Sequence, residues 1–221
     1  MSSRDLVLSR IRASIGRGSV PDAAQVQSRI ESVIAAPVRG PASTGTWSHS
    51  PEGIVTRFIE RATALSSTVE RVASMTEVPA AAAAYLISRE LPQQAVCWPT
   101  LVTVAWNGAG LEVSPRAAMG SDLVGITGAF CAVADTGTLM LLSGPDTPAA
   151  ASLLPETHIA VVEVSRIVAF MEDGFALMRR EKGEAPRAVN FVSGPSRTAD
   201  IEQTVTLGAH GPYRVHLILV G

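Results

Sequence analysis

Apolar positions recur at two periods along this chain, and the places where the period changes mark out its elements. Ser2 and Asp5 have the form of a capping box, and Leu8, Ile11 and Ile15 then follow at helical spacing until Gly16 and Gly18. That pattern predicts a short exposed helix. A weaker helical pattern covers residues 22–35 and runs into Pro37, Gly40, Pro41, Ser43 and Gly45, a composition that makes a linker. Residues 1–45 therefore read as a helical arm with its linker, and residues 46–221 as one domain.

The domain opens on Ser50-Pro51-Glu52, a cap followed by a residue pre-set for the first helical turn, with Val55, Phe58, Ile59 and Ala62 on one face. A strand at 68–72, an alanine-rich helix at 76–89 and a strand at 95–98 follow. Such alternation predicts parallel strands joined by crossover helices, an α/β three-layer sandwich with a mainly parallel sheet. Two β-rich runs, 130–134 and 138–142, flank Asp135-Thr136-Gly137 and predict a hairpin. Beyond it the pattern predicts a short helix at 148–154, a buried strand at 158–164, a helix at 166–182 started by Ser165 and a strand at 189–192. A helix at 198–207 comes next, with Ile201 and Val205 inward, Asp200 and Glu202 near its start and Gly208 past its end. A strand at 214–220 closes the sheet.

At 221 residues the chain can bury one sizeable core, and with 5% aromatics that core must be aliphatic. A net charge of -2 without a Lys or Arg run provides no footprint for nucleic acid or for an anionic membrane. The apolar runs are too short for a membrane span, and no signal core precedes them, so a cytoplasmic location is expected. Cys97 and Cys131 are far apart with no neighbouring cysteine, which leaves no zinc or iron–sulfur ligand set and predicts two buried thiols. No cofactor is expected on this chain.

Three segments resemble the signature of the lactate-utilisation protein C family, whose members are small LUD-domain proteins. They are Ala134-Asp135-Thr136-Gly137-Thr138, then Ser152-Leu153-Leu154-Pro155-Glu156-Thr157-His158, then Ser193-Gly194-Pro195-Ser196-Arg197-Thr198-Ala199-Asp200-Ile201-Glu202 continued by Gly208-Ala209-His210-Gly211-Pro212. The resemblance covers roughly residues 50–221 and is far more specific than a short motif. It implies a fold similar to the sugar-phosphate isomerase and CoA-transferase class. It also implies an accessory role in oxidising L-lactate to pyruvate, with iron–sulfur clusters on partner proteins. The family usually has Glu where this chain has Asp135, so the carboxylate is kept on a shorter stem.

Two groups of residues are candidates for ligand contact. Ser193, Gly194, Ser196, Arg197, Thr198 and Asp200 surround a predicted helix start, where backbone N–H groups and an arginine suit a phosphate or carboxylate. Plain helix capping uses the same residue types. Asp135, Thr136, Gly137 and Thr138 project a carboxylate and hydroxyls from a turn, and an ordinary hairpin turn needs those residues too. His210 lies on a loop where an imidazole titrates near neutrality. Ser196, Asp200 and His210 follow the chain order of a hydrolase triad but lack the second glycine of its elbow, and Asp200, Glu202 and His210 lack a recurrent metal spacing. The tryptophans read as hydrophobic anchors, while the arm, with Arg10, Arg12 and Arg17, suits docking on another subunit, including a second copy. Two functions stay open: an accessory subunit beside iron–sulfur partners, or a small-molecule enzyme or sensor binding a phosphate- or carboxylate-bearing ligand in a CoA-transferase-like cleft.

Overall fold

The structure, a computed structural model, describes residues 3–16, 22–36, 40, 46–198 and 206–221. Two compact units result, Met1–Thr44 and Gly45–Gly221. The first holds α1 (Ser3–Ser14) and α2 (Ala23–Ala35), neither of which buries a residue. Asp22 caps α2 by accepting from the Ala24 amide at 3.3 Å, and Val26, Ile30, Val33 and Ile34 form an exposed apolar stripe along it.

The second unit begins with α3 (Pro51–Ala64), β1 (Thr68–Val72), α4 (Val78–Ser88), β2 (Gln94–Cys97), β3 (Glu112–Pro115), β4 (Val124–Gly128), β5 (Cys131–Val133) and β6 (Thr138–Leu142). It continues with α5 (Ala150–Leu153), β7 (Thr157–Glu163), β8 (Ile167–Val168), α6 (Met171–Lys182), β9 (Val189–Val192), β10 (Arg197–Thr198), β11 (Thr206–Leu207) and β12 (Arg214–Val220). Ser50 caps α3 as its sequence predicts, its Oγ accepting from the Gly53 amide at 3.2 Å.

Six strands form an all-parallel sheet in the order β1-β12-β7-β4-β2-β3. Side chains alternate across it. Ile126, Ile159 and Ile218 pack with Ala82 and Leu86 of α4, while Ala160, Val162, Leu217 and Leu219 pack with Phe58 of α3. A second sheet, ordered β8-β5-β6-β9, lies in the α3 layer. Its Ala132, Leu139 and Leu141 join the core around Phe58, and its Cys131, Met140 and Leu142 face Leu177 and Met178 of α6. The predicted three layers are present, and α6 adds a fourth over the second sheet.

Three expectations change, and two strands were not anticipated. The helix predicted at 166–182 starts only after Phe170, whose amide donates to Asp173 Oδ2 at 3.1 Å. Residues 164–166 make a 3-10 turn and β8 follows, because the Val168 and Ala169 carbonyls accept from the Ala134 and Asp135 amides at 2.8 and 3.0 Å, bonds that a helix there would break. The helix predicted at 198–207 is not formed at its ends. Arg197 and Thr198 pair antiparallel with Leu207 and Thr206, and the Gly208 amide donates to the Ser196 carbonyl at 2.9 Å. Residues 199–205, with Asp200, Ile201, Glu202 and Val205, lie outside the described residues. Thirdly, β12 runs inside the sheet between β1 and β7 rather than closing an edge. Finally, β3 and β4 carry no strong alternation in sequence and emerge only as neighbours of β2. Among the described residues no helix is long and apolar enough to cross a membrane.

Candidate functional site

Three of the residues nominated by the sequence, Gly137, Gly194 and Arg197, meet the last turn of α3 and its end. Gly137 (φ 66°) and Gly194 (φ 81°) both hold a left-handed backbone against it. A Cβ on Gly137 would strike the Arg61–Ala62 backbone, and one on Gly194 the Leu65 carbonyl. Between them Thr138 Oγ1 and Ser193 Oγ lie 2.8 Å apart. Arg197 Nη2 donates to the Leu65 carbonyl at 3.4 Å and to Ser66 Oγ, so its charge meets the negative end of the α3 dipole. Asp135 has Arg57 Nη2 at 3.8 Å, and that guanidinium stands 5.7 Å from the Trp47 ring centroid. Thr136 is exposed at the turn.

The Asp135 turn and the 193–197 loop are thus close, as a shared site requires. Ser196 is engaged through its backbone, its amide donating to the Pro212 carbonyl at 2.8 Å, and His210 is exposed on the loop beyond. Thr198 lies in β10 rather than at a helix start, and the residues that follow it in the predicted helix lie outside the described residues. Asp200 and Glu202, needed for the triad and metal readings, lie outside the described residues. Among the described residues no group of three His, Cys, Asp or Glu side chains is placed to hold a metal ion.

Two buried imidazoles stand on opposite faces of the main sheet. His158 Nε2 lies 2.7 Å from Thr127 Oγ1 while its Nδ1 is buried without a partner, and burial lowers its pKa to about 4. His216 stacks on Tyr85 with ring centroids 3.9 Å apart and has Nδ1 2.8 Å from Thr68 Oγ1; burial, aided by Arg89, again lowers the pKa to about 4. Cys97 and Cys131 are buried as predicted, with thiol pKa values pushed up to about 11 by desolvation.

A different site lies at the other end of the hairpin, about 13 Å along β6 from the Thr138 end at roughly 3.3 Å per residue. From β2 the chain passes outward to β3, and from β4 it passes inward to β7, so the carboxyl ends of β2 and β4 form a topological switch point. Open parallel sheets bind ligands there, because the diverging connections leave a crevice. Here the crevice has a volume of about 550 Å³, and Trp98, Phe130, Asp146, Thr147, Lys182 and Glu184 are among its lining residues. Trp98 is held by its Nε1, which donates to the Pro148 carbonyl at 3.0 Å. Phe130 is braced by Arg166, whose Cζ stands 4.8 Å from the ring centroid and whose Nη atoms pair with Glu181 at 2.6 and 2.9 Å. Sequence reasoning missed this crevice. The one local signal was an aromatic or glycine at the end of a strand, as at Trp98 and Gly128, and it means nothing until the strand order is known.

Residues 114–220 match the LUD domain family. The chain is 36% identical over 129 residues to the lactate utilization protein C of Bacillus licheniformis, which covers 56% of this chain and 53% of that protein. Identity to the Bacillus subtilis protein of the same name is also 36% over 129 residues, with the same coverage. The matched stretch spans about half the length of these relatives. The crystal structure of a DUF162 family protein from Deinococcus radiodurans superposes with a TM-score of 0.61 at 26% identity, covering 79% of this chain and 100% of that one. All three signature segments fall inside residues 114–220, so this half of the chain is similar to the LUD domain and to proteins named lactate utilization protein C.

Proposed function

We propose that this protein serves L-lactate utilisation as a cytoplasmic accessory subunit, working with iron–sulfur partner proteins that oxidise L-lactate to pyruvate. The observation that supports this most directly is the similarity to proteins named for lactate utilization over the region that holds the Asp135 turn, the 152–158 segment and the 206–212 loop. The partners carry the redox centres, and this chain contributes a docking surface. Reconstituted lactate oxidation, with the partner proteins alone or supplemented by this chain, tests the reading. Oxidation should fall to background without the chain and return when it is added. Full activity of the partners alone removes the accessory role.

A further inference from the structure

We infer that the crevice between the carboxyl ends of β2 and β4 binds a planar, uncharged heteroaromatic ring system bearing both hydrogen-bond donors and acceptors, and selects against phosphorylated forms of it. The inference is independent of the lactate role, since it is read from the crevice alone.

Size is the first argument. A volume of about 550 Å³ lies in the range of about 300–1,000 Å³ that holds cofactor- or drug-sized ligands, and a molecule as small as lactate would leave most of it empty. Shape and stiffness come second. Trp98 is 4% exposed and tied down at Nε1, and a Cβ on Gly128 would sit 3.8 Å from its Cε3 and Cζ3 atoms, so the outer indole ring lies over a residue with no side chain. Phe130 is fixed by the Arg166 guanidinium on its ring and by Arg166 Nε donating to its carbonyl at 2.9 Å. Two aromatic residues of the lining are thus already locked in place, and they cost little ordering entropy when a flat ring enters.

The polar lining sets the chemistry. Lys182 can only donate, whereas Asp146 and Glu184 as carboxylates can only accept. Ser143 Oγ already accepts from the Ala188 amide at 2.8 Å and keeps its proton to donate, while Thr147 Oγ1 donates to the Leu142 carbonyl at 2.8 Å and keeps lone pairs to accept. A matching ring therefore needs donors and acceptors together. One ammonium against two carboxylates leaves the lining net negative, and Lys182 sits at the negative C-terminal end of α6. A phosphate, with nearly two further charges, is opposed on both counts.

The test titrates the full chain by calorimetry with riboflavin and adenosine, and in parallel with flavin mononucleotide and ADP, which carry the same rings plus phosphate. The expected result is saturable binding of at least one uncharged probe, about tenfold tighter than its phosphorylated counterpart at low salt. Pro145→Trp, on the exposed rim, should abolish that binding with the melting curve unchanged. Asp146→Asn combined with Glu184→Gln, both exposed positions, should narrow the gap between the uncharged and phosphorylated forms. No binding of either uncharged probe overturns the inference. So does equal or tighter binding of the phosphorylated forms, or undiminished binding by folded Pro145→Trp.

Discussion

Thr138 Oγ1 and Ser193 Oγ meet at 2.8 Å, joining the start of β6 to the residue just after β9. Thr138 is 3% exposed, and its hydroxyl has no solvent to replace the partner. Thr138→Val should lower stability by about 1 kcal/mol, and a double-mutant cycle with Ser193→Ala should show coupling of about 0.5–1 kcal/mol in urea unfolding. Additive losses would mean that the two hydroxyls do not depend on each other.

Gly194 and Arg197 approach the same turn of α3 in different ways. Gly194→Ala places a side chain at φ 81° and against the Leu65 carbonyl, so a loss of about 2 kcal/mol or more is expected. Arg197→Ala removes an exposed cation from a helix end and should cost under about 1 kcal/mol. If capping is its work, the Arg197→Ala protein will support reconstituted lactate oxidation at the full rate. A folded variant that loses that activity would place a ligand at the 193–197 loop instead.

His158 and His216 both have folded pKa values lowered to about 4, against about 6.5 in an unfolded chain. Between those values the unfolded state holds more protons, so stability is full above pH 6.5 and falls as the pH drops towards 4. Each imidazole should contribute a slope of up to about 1.4 kcal/mol per pH unit. For His216 the lowering comes mainly from burial, with Arg89 adding to it, and the Glu70 carboxylate lies 3.8 Å from Nε2. Urea midpoints at pH 7, 6 and 5 would measure the slope, and His158→Gln should flatten it. An unchanged slope in that variant would show that His158 is not the group titrating.

Cys97 and Cys131 are buried thiols held in the protonated form to about pH 11. An aromatic disulfide reagent should leave both unmodified in native buffer and label both in denaturant. Rapid native labelling of Cys131 would mean that α6 opens away from β5.

Much of the local structure was legible because it depends on neighbours in sequence. The Ser50-Pro51 start of α3, the strand near 68–72 and the turn between β5 and β6 all follow from short-range rules. So did the parallel α/β class, since strand and helix periods alternate, and so did the family resemblance, because its signature residues are contiguous.

Where long-range pairing competes with local preference, the sequence misleads. Ile167 and Val168 continue a helical pattern but add to β5, and Thr198 looks like a cap but pairs with Thr206. Strand order is invisible locally, so the crevice between β2 and β4 could not be anticipated from Trp98, Phe130 or Lys182, which lie far apart along the chain. The sequence by itself determined many of the local elements, the parallel α/β class and the family resemblance. Only the tertiary structure decided which ends of which strands stand side by side, because backbone hydrogen bonds between distant segments carry no residue-specific code.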